Sequence, residues 1–188
     1  MASNAAPAEN TTQIRIGGVG GQGIVVAGKM LGKAAALFDG KEAVCTQSYG
    51  PEARGGASRA DIIISDTPVD YPFVIQPDIL AVLFQEAYTR FRSRLKPGGV
   101  LIIETDLVHP HEDEAQFIGL PATRIAKDLG NRLATNIVLL GYLVGATSVV
   151  SQKAMQDAIR DTVRKDLIDL DMRAFEAGFD LAQQERES

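Results

Sequence analysis

The chain has 188 residues and a mass of 20.1 kDa; 45% of the residues are hydrophobic and 23% charged, and 19 Lys and Arg against 24 Asp and Glu leave a net charge of −5. This is the balance of a globular chain with material for a core. It excludes a disordered polymer, and the lack of a basic surplus argues against gripping the phosphate backbone of a nucleic acid. The single cysteine, Cys45, excludes an internal disulfide, a Cys-rich zinc site and a Cys-ligated iron–sulfur cluster held by this chain, and suits a reducing cytoplasm.

Residues 1–12 are small and polar and predict a flexible tail; they lack the basic and apolar regions of a signal peptide. A single domain over residues 13–188 is expected. A strand is predicted from Gln13 to Gly17, then a glycine turn, then a helix from Ile24 to Phe38 ended by Asp39-Gly40. Glu42 to Gln47 reads as a strand, followed by a loop from Ser48 to Ala57. Ile62–Ser65 and Ile79–Phe84 are short apolar runs of the kind found in a sheet covered on both faces. Glu86 to Leu95 predicts a helix stopped at Lys96-Pro97-Gly98-Gly99, Val100 to Glu104 a buried strand, and Gln116 to Leu120 a weaker one. Three helices follow, at Asn136–Val149, Gln152–Val163 and Lys165–Gln184. The uncharged stretch Leu133–Gln152 is long enough to span a membrane, but its polar residues leave too short an apolar centre, so it reads as a buried helix. Alternating strands and helices imply an α/β fold: an open, mostly parallel, Rossmann-like sheet with helices on both faces and a helical C-terminus.

Two loops carry the chemistry. Gly18-Val19-Gly20-Gly21-Gln22-Gly23 fits G-x-G-x-x-G between a strand and a helix. Its glycines permit a tight turn, and free N–H groups at the helix start attract an anion. Gly18, Gly20, Gly21, Gln22 and Gly23 are therefore candidates for facing a phosphate or nucleotide; the bland alternative is close strand–helix packing. A dinucleotide site wants an acid at the end of the second strand. That strand ends in Thr46-Gln47-Ser48, which points away from NAD. The second loop contains Gln47, Ser48, Tyr49, Gly50, Glu52, Arg54, Gly55 and Gly56, all candidates for lining a pocket. Arg54 can clamp a carboxylate or phosphate through paired hydrogen bonds. The bland alternative is a surface pair of Arg54 with Glu52.

Ile16-Gly17-Gly18-Val19-Gly20-Gly21-Gln22-Gly23, the Gln47–Gly56 loop, Asp70-Tyr71-Pro72 and Gln85-Glu86-Ala87-Tyr88 together resemble the gamma subunit of 2-oxoacid:ferredoxin oxidoreductases, those of 2-oxoglutarate type above all. The resemblance implies oxidative decarboxylation of a 2-oxoacid onto coenzyme A. Thiamine diphosphate, Mg and [4Fe-4S] clusters would be carried by alpha, beta and delta partners or fused equivalents, and ferredoxin would accept the electrons. This chain lacks the Gly-Asp-Gly of a thiamine diphosphate and magnesium site and has one cysteine, so no catalytic residue and no metal are expected in it alone. Its implied task is to complete the active-site pocket and help receive coenzyme A. Asp171 departs from the family pattern, where Asn is expected.

Two rivals stay open from the residues themselves: a free-standing Rossmann-type nucleotide-dependent oxidoreductase or methyltransferase, the latter suggested by Lys96-Pro97-Gly98-Gly99, and a purely structural assembly subunit. The cluster from His109 to Glu114 reads as a solvated loop rather than a metal site. The last helix carries two apolar stripes, from Leu167 to Leu181 and from Ile168 to Ala182. They form an arc wide enough to suggest a subunit contact besides a core face.

Overall fold

Strand β1 (Thr11–Val19) lies inside a six-stranded sheet of order β2-β3-β1-β4-β5-β6 in the computed structural model, which describes residues 11–48, 57–114 and 116–187. The other strands are β2 (Glu42–Ser48), β3 (Ala57–Ser65), β4 (Ile79–Val82), β5 (Val100–Glu104) and β6 (Ile118–Leu120). Three of the five neighbouring pairs, β1–β4, β4–β5 and β5–β6, are parallel, and β1–β3 and β2–β3 are antiparallel. The α/β architecture and mostly parallel sheet are as the sequence predicts. The antiparallel β2–β3 pair is not legible there, because Arg59 and Asp61 interrupt the apolar run and hide the first half of β3.

Both faces of the sheet are covered, and the strand sequences show why. Ile14 and Ile16 of β1, Ala60, Ile62 and Ile64 of β3 and Ala81 of β4 join a large cluster with helices α1 (Ile24–Lys33), α4 (Thr135–Thr147) and α5 (Gln152–Thr162). Leu80 and Val82 of β4 and Leu101 and Ile103 of β5 point the other way, onto Ala87, Tyr88 and Phe91 of α2 (Gln85–Phe91). Alternate residues of one strand thus enter different cores, so the strands read as continuous apolar runs. Helix α1 widens into a π-helical stretch at Ala34–Phe38, and α2 tightens into a 3₁₀ turn at Arg92–Arg94. A short helix, α3 (Ala122–Asp128), was not predicted; two turns are too few to establish a period.

Helix α4 is buried on all sides, as its uncharged sequence predicts. Among the described residues no helix is long and apolar enough to cross a membrane. The final helix α6 (Ile168–Glu187) packs along α4 at a distance that only glycine allows. A Cβ on Gly141 would collide with the Phe175 carbonyl oxygen, and one on Gly178 with the Val138 carbonyl oxygen. Tyr142 donates a hydrogen bond from α4 to Glu185 on α6, and burial together with that carboxylate pushes the phenol pKa up.

The wide arc of α6 resolves into core and rim. Met172, Ala174, Phe175 and Ala182 are buried, while Leu170, Ala177, Phe179 and Leu181 are half-buried beside them. No large apolar side chain of α6 is among the exposed ones, so the arc does not form the open patch that the stripes suggested. Backbone contact at the glycines draws α6 close enough to α4 to cover both stripes.

The close contact should make Gly178→Ala costly. Two backbones would have to separate, so a loss of roughly 3 kcal/mol is expected in urea unfolding. A Gly130→Ala control has left-handed backbone strain but open space, and should cost about 1 kcal/mol.

Candidate functional site

The β-strand register brings the two sequence-predicted loops to one edge of the sheet. Val19 at the end of β1 is opposite Ala57, and Ser48 at the end of β2 is opposite Arg59. Both ends of the connection 49–56 therefore meet the edge that carries the glycine turn. Gln47 and Ser48 are exposed there. Tyr49, Gly50, Glu52, Arg54, Gly55 and Gly56 lie outside the described residues.

The turn itself is braced from two sides. The Gln22 side chain accepts a hydrogen bond from the Val19 N–H at 2.9 Å and donates one to the Leu83 carbonyl oxygen at 3.0 Å. It ties the turn to the chain just beyond β4. Asn136 donates to the Gly23 carbonyl oxygen at 3.2 Å, joining the turn to α4. Gly23 has φ 70°, and a Cβ there would lie 2.5 Å from the Asn136 amide nitrogen. Gly18 is within β1, close against Gln22 and Ile24, whereas Gly20 and Gly21 have no neighbour where a Cβ would be. The motif thus divides into a packed part and an open part. The open part borders a cleft of about 320 Å³, with Phe84, Leu107, Arg132 and Leu133 on its other walls and Thr123 and Thr135 beside them. Neither Arg132 nor Leu133 stands out in the sequence, because both sit in the short connection between α3 and α4.

The arrangement differs from a dinucleotide site. There, β1 and the acid-bearing strand are parallel neighbours. Here the antiparallel β3 separates β1 from β2, which moves the end of β2 two strand spacings away, about 10 Å. Asp39 is not near the turn. It follows the far end of the first helix and accepts hydrogen bonds from the Ser151 N–H and hydroxyl at the start of α5.

The His109–Glu114 segment is a loop, and among the described residues no three His, Cys, Asp or Glu side chains converge as a metal site. The loop is latched to α2. Gln85 donates to the His109 carbonyl oxygen and accepts from the His109 N–H, while Tyr88 accepts from the His111 N–H at 3.1 Å and donates to Glu114. Arg92 adds paired hydrogen bonds to the same carboxylate. The spacing in Gln85-Glu86-Ala87-Tyr88 therefore has a mechanical reason: one helix turn apart, both side chains grip the loop after β5. The Arg92 hydrogen bond holds the Glu114 carboxyl below its usual range. Burial pushes up the pKa of the Cys45 thiol on β2 and, on α6, that of the half-buried Asp171 carboxyl.

Two outcomes follow from this geometry. Gly23→Ala forces an L side chain into left-handed backbone and against Asn136, and should cost about 1–3 kcal/mol in chemical denaturation, whereas Gly20→Ala should stay within about 0.5 kcal/mol. Glu114 has a folded pKa below its unfolded value, so its contribution is full above the unfolded pKa, about 4.3, and is lost as pH falls through the folded pKa. Protection of the His109 and His111 amides against hydrogen exchange, corrected for the intrinsic pH dependence, should fall as the pH drops through the lowered Glu114 pKa, and Glu114→Gln should abolish that acid dependence.

Comparison with known proteins supplies the context for this edge. The family model described as pyruvate ferredoxin/flavodoxin oxidoreductase matches residues 13–181. The 2-oxoglutarate synthase subunit KorC of Methanocaldococcus jannaschii is 47% identical over 176 residues, 92% of this chain and 94% of that protein. The crystal structure of the keto/oxoacid ferredoxin oxidoreductase gamma subunit from Geobacter sulfurreducens superposes with a TM-score of 0.84 at 41% identity, covering 93% of this chain and 97% of that one. The same fold, at 22% identity and a TM-score of 0.84, makes up 32% of a chain in the 2-oxoglutarate:ferredoxin oxidoreductase of Magnetococcus marinus, solved with 2-oxoglutarate, coenzyme A and succinyl-CoA bound; 94% of the present chain is covered. With the family model spanning nearly the whole sequence and a close relative matched end to end, the chain belongs to the pyruvate ferredoxin/flavodoxin oxidoreductase family.

Proposed function

We propose that this chain is the gamma subunit of a thiamine-diphosphate-dependent 2-oxoacid:ferredoxin oxidoreductase of the 2-oxoglutarate type. The observation that carries the reading is the 47% identity to a 2-oxoglutarate synthase subunit over nearly the full length of both proteins. Its work is to complete the active-site pocket and help receive coenzyme A for acyl-CoA formation. The alpha, beta and delta partners hold thiamine diphosphate, Mg and the [4Fe-4S] clusters, and ferredoxin takes the electrons. The complex works in the cytoplasm, in keeping with a lone, unpaired thiol.

The residues of this chain do not fit those resident groups. One cysteine cannot ligate a cluster, and there is no Gly-Asp-Gly for the thiamine diphosphate and its metal. The fit to part of coenzyme A is better. The open backbone at Gly20 and Gly21 and the exposed Arg132 guanidinium provide donors for phosphate, and Phe84, Leu107 and Leu133 an apolar wall. The cleft is smaller than the whole cofactor, so the remainder would rest on the 47–56 loop and on partner subunits. Arg54, Glu52 and Tyr49 serve as the polar contacts of that loop.

The test is co-purification of the tagged chain with thiamine- and cluster-containing partners, followed by 2-oxoacid-dependent ferredoxin reduction with and without the chain. Arg54→Ala should leave the complex assembled but lower turnover, or raise KM for coenzyme A or the 2-oxoacid, by about tenfold or more, as expected for losing a charged, desolvated hydrogen bond. Parent kinetics in an intact variant complex would make Arg54 a surface charge.

A further inference from the structure

Among the described residues, the cleft beside the glycine turn has one charged side chain on its walls, that of Arg132, and no carboxylate. Arg132 is exposed, and among the described residues its guanidinium has no ion pair and no hydrogen bond. Arg124, on the helix before it, is by contrast paired with Asp106. The turn adds a second set of donors. Neither the Gly20 N–H nor the Gly21 N–H has a partner among the described residues, and a Cβ on Gly20 would meet nothing within 4 Å.

The corner that carries Arg132 is held by its own hydrogen bonds. The Asn131 N–H donates to the Ala126 carbonyl oxygen at 3.0 Å, the Leu133 N–H to Asn131 Oδ1 at 2.9 Å, and the Thr135 hydroxyl to the Arg132 carbonyl oxygen at 2.7 Å. They fix the backbone with the Leu133 side chain 76% exposed at the cleft. A braced backbone that presents a cation and an apolar side chain together is pre-organised for a ligand with an anionic and an apolar part.

We propose that this cleft takes the nucleotide end of coenzyme A, and that Arg132 selects that end by pairing with a phosphate. The assignment deepens the subunit reading above and rests on it. Coenzyme A has two chemically different ends. Its pantetheine arm is uncharged at neutral pH and gives an arginine nothing to neutralise, whereas every negative charge sits on the phosphates of the nucleotide end. Phe84, Leu107 and Leu133 offer the adenine ring an apolar wall. At about 320 Å³ the cleft does not hold both ends. The pantetheine arm, on the order of 15 Å when extended, therefore leaves the cleft and carries the thiol away from it. This polarity also accounts for what the walls lack: among the described residues they include no His, Cys, Asp, Glu or Lys that could act on a thiol.

The test uses the whole complex, with coenzyme A compared against pantetheine, which carries the thiol without the nucleotide. Arg132→Ala should lower the ratio of kcat/KM for coenzyme A to kcat/KM for pantetheine by about tenfold or more. Arg132→Lys, which keeps the charge but not the paired geometry, should recover part of that ratio. A ratio equal to the parent's overturns the assignment, whether both values fall or neither does, because a merely structural role acts on both alike. Should the variant complex not assemble, or the parent not turn over pantetheine, hydrogen exchange on the parent complex decides. The probe is adenosine 3′,5′-bisphosphate, the nucleotide end without the arm. Slowed exchange at both 20–21 and 131–135 supports the assignment, and unchanged exchange in either segment overturns it. A parent complex with no coenzyme A-dependent ferredoxin reduction overturns the subunit reading itself, which is a different result.

Discussion

Arg15 and Asp61 face each other across β1 and β3, joined by two hydrogen bonds of 2.6 and 2.8 Å, with their side chains 3% and 4% exposed. Arg59 approaches the same carboxylate at 3.4 Å, and the Phe91 ring lies 5.3 Å from the Arg15 guanidinium. Removing one partner of such a pair leaves a charge buried without compensation, at about 3–5 kcal/mol. A slip of one residue between β1 and β3 would separate the pair and turn Ile14 and Ile16 away from their core. The pair therefore fixes the register. Through the register it puts Ser48 and Ala57, the two ends of the 49–56 connection, on the edge that carries the glycine turn. A further hydrogen bond from Arg15 to the Val74 carbonyl oxygen pins the β3–β4 connection to the same buried pair.

Glycine makes the rest of the arrangement possible, for separate reasons. At Gly17 there is room for the Phe91 ring, at Gly28 for Ala60, and at Gly141 and Gly178 for the opposing helix backbones. These are close approaches, and they bring α1, α2 and α6 within reach of their cores. At Gly23 the need is a left-handed backbone, which turns the chain from β1 into α1. Gly20 and Gly21 are different again: nothing packs against them. Within one G-x-G-x-x-G motif, then, packing accounts for Gly18, left-handed backbone for Gly21 and both for Gly23, and only Gly20, beside the cleft, has neither reason. The open middle of the turn is thus held from both sides by Gln22 and Asn136 while its own backbone stays accessible.

Much was legible in the sequence. The apolar runs of β4 and β5, the uncharged α4 and the turn residues of the Lys96–Gly99 stop each announce their structure locally, because burial on both faces and helix termination leave a composition mark. The resemblance carried by the G-x-G-x-x-G and Gln47–Gly56 motifs agrees with the family found by comparison. Cys45 on an edge strand and the His109–Glu114 loop held no metal-ligand spacing, and the loop's carboxylate is taken up by Arg92 and Tyr88.

Other features existed only once distant segments met. The antiparallel insertion of β3 depends on Arg15 finding Asp61 far along the chain. The latch on the loop after β5 depends on Gln85 and Tyr88 facing backbone groups beyond β5. Arg132 and Leu133 become cleft walls because α3 and α4 bring their connection over the turn. The helix α6 shows the limit most clearly. Its two apolar stripes are the same whether covered by a partner or by its own chain, since periodicity reports only that a face is dry. Which body covers it was decided by Gly141 and Gly178, whose missing side chains let two helices close on each other. By itself the sequence determined most of the elements, the α/β class and the two loops that carry the family resemblance. The tertiary structure decided register, cover and exposure, because those are set by the distance between surfaces, and no local pattern encodes a distance to a segment elsewhere in the chain.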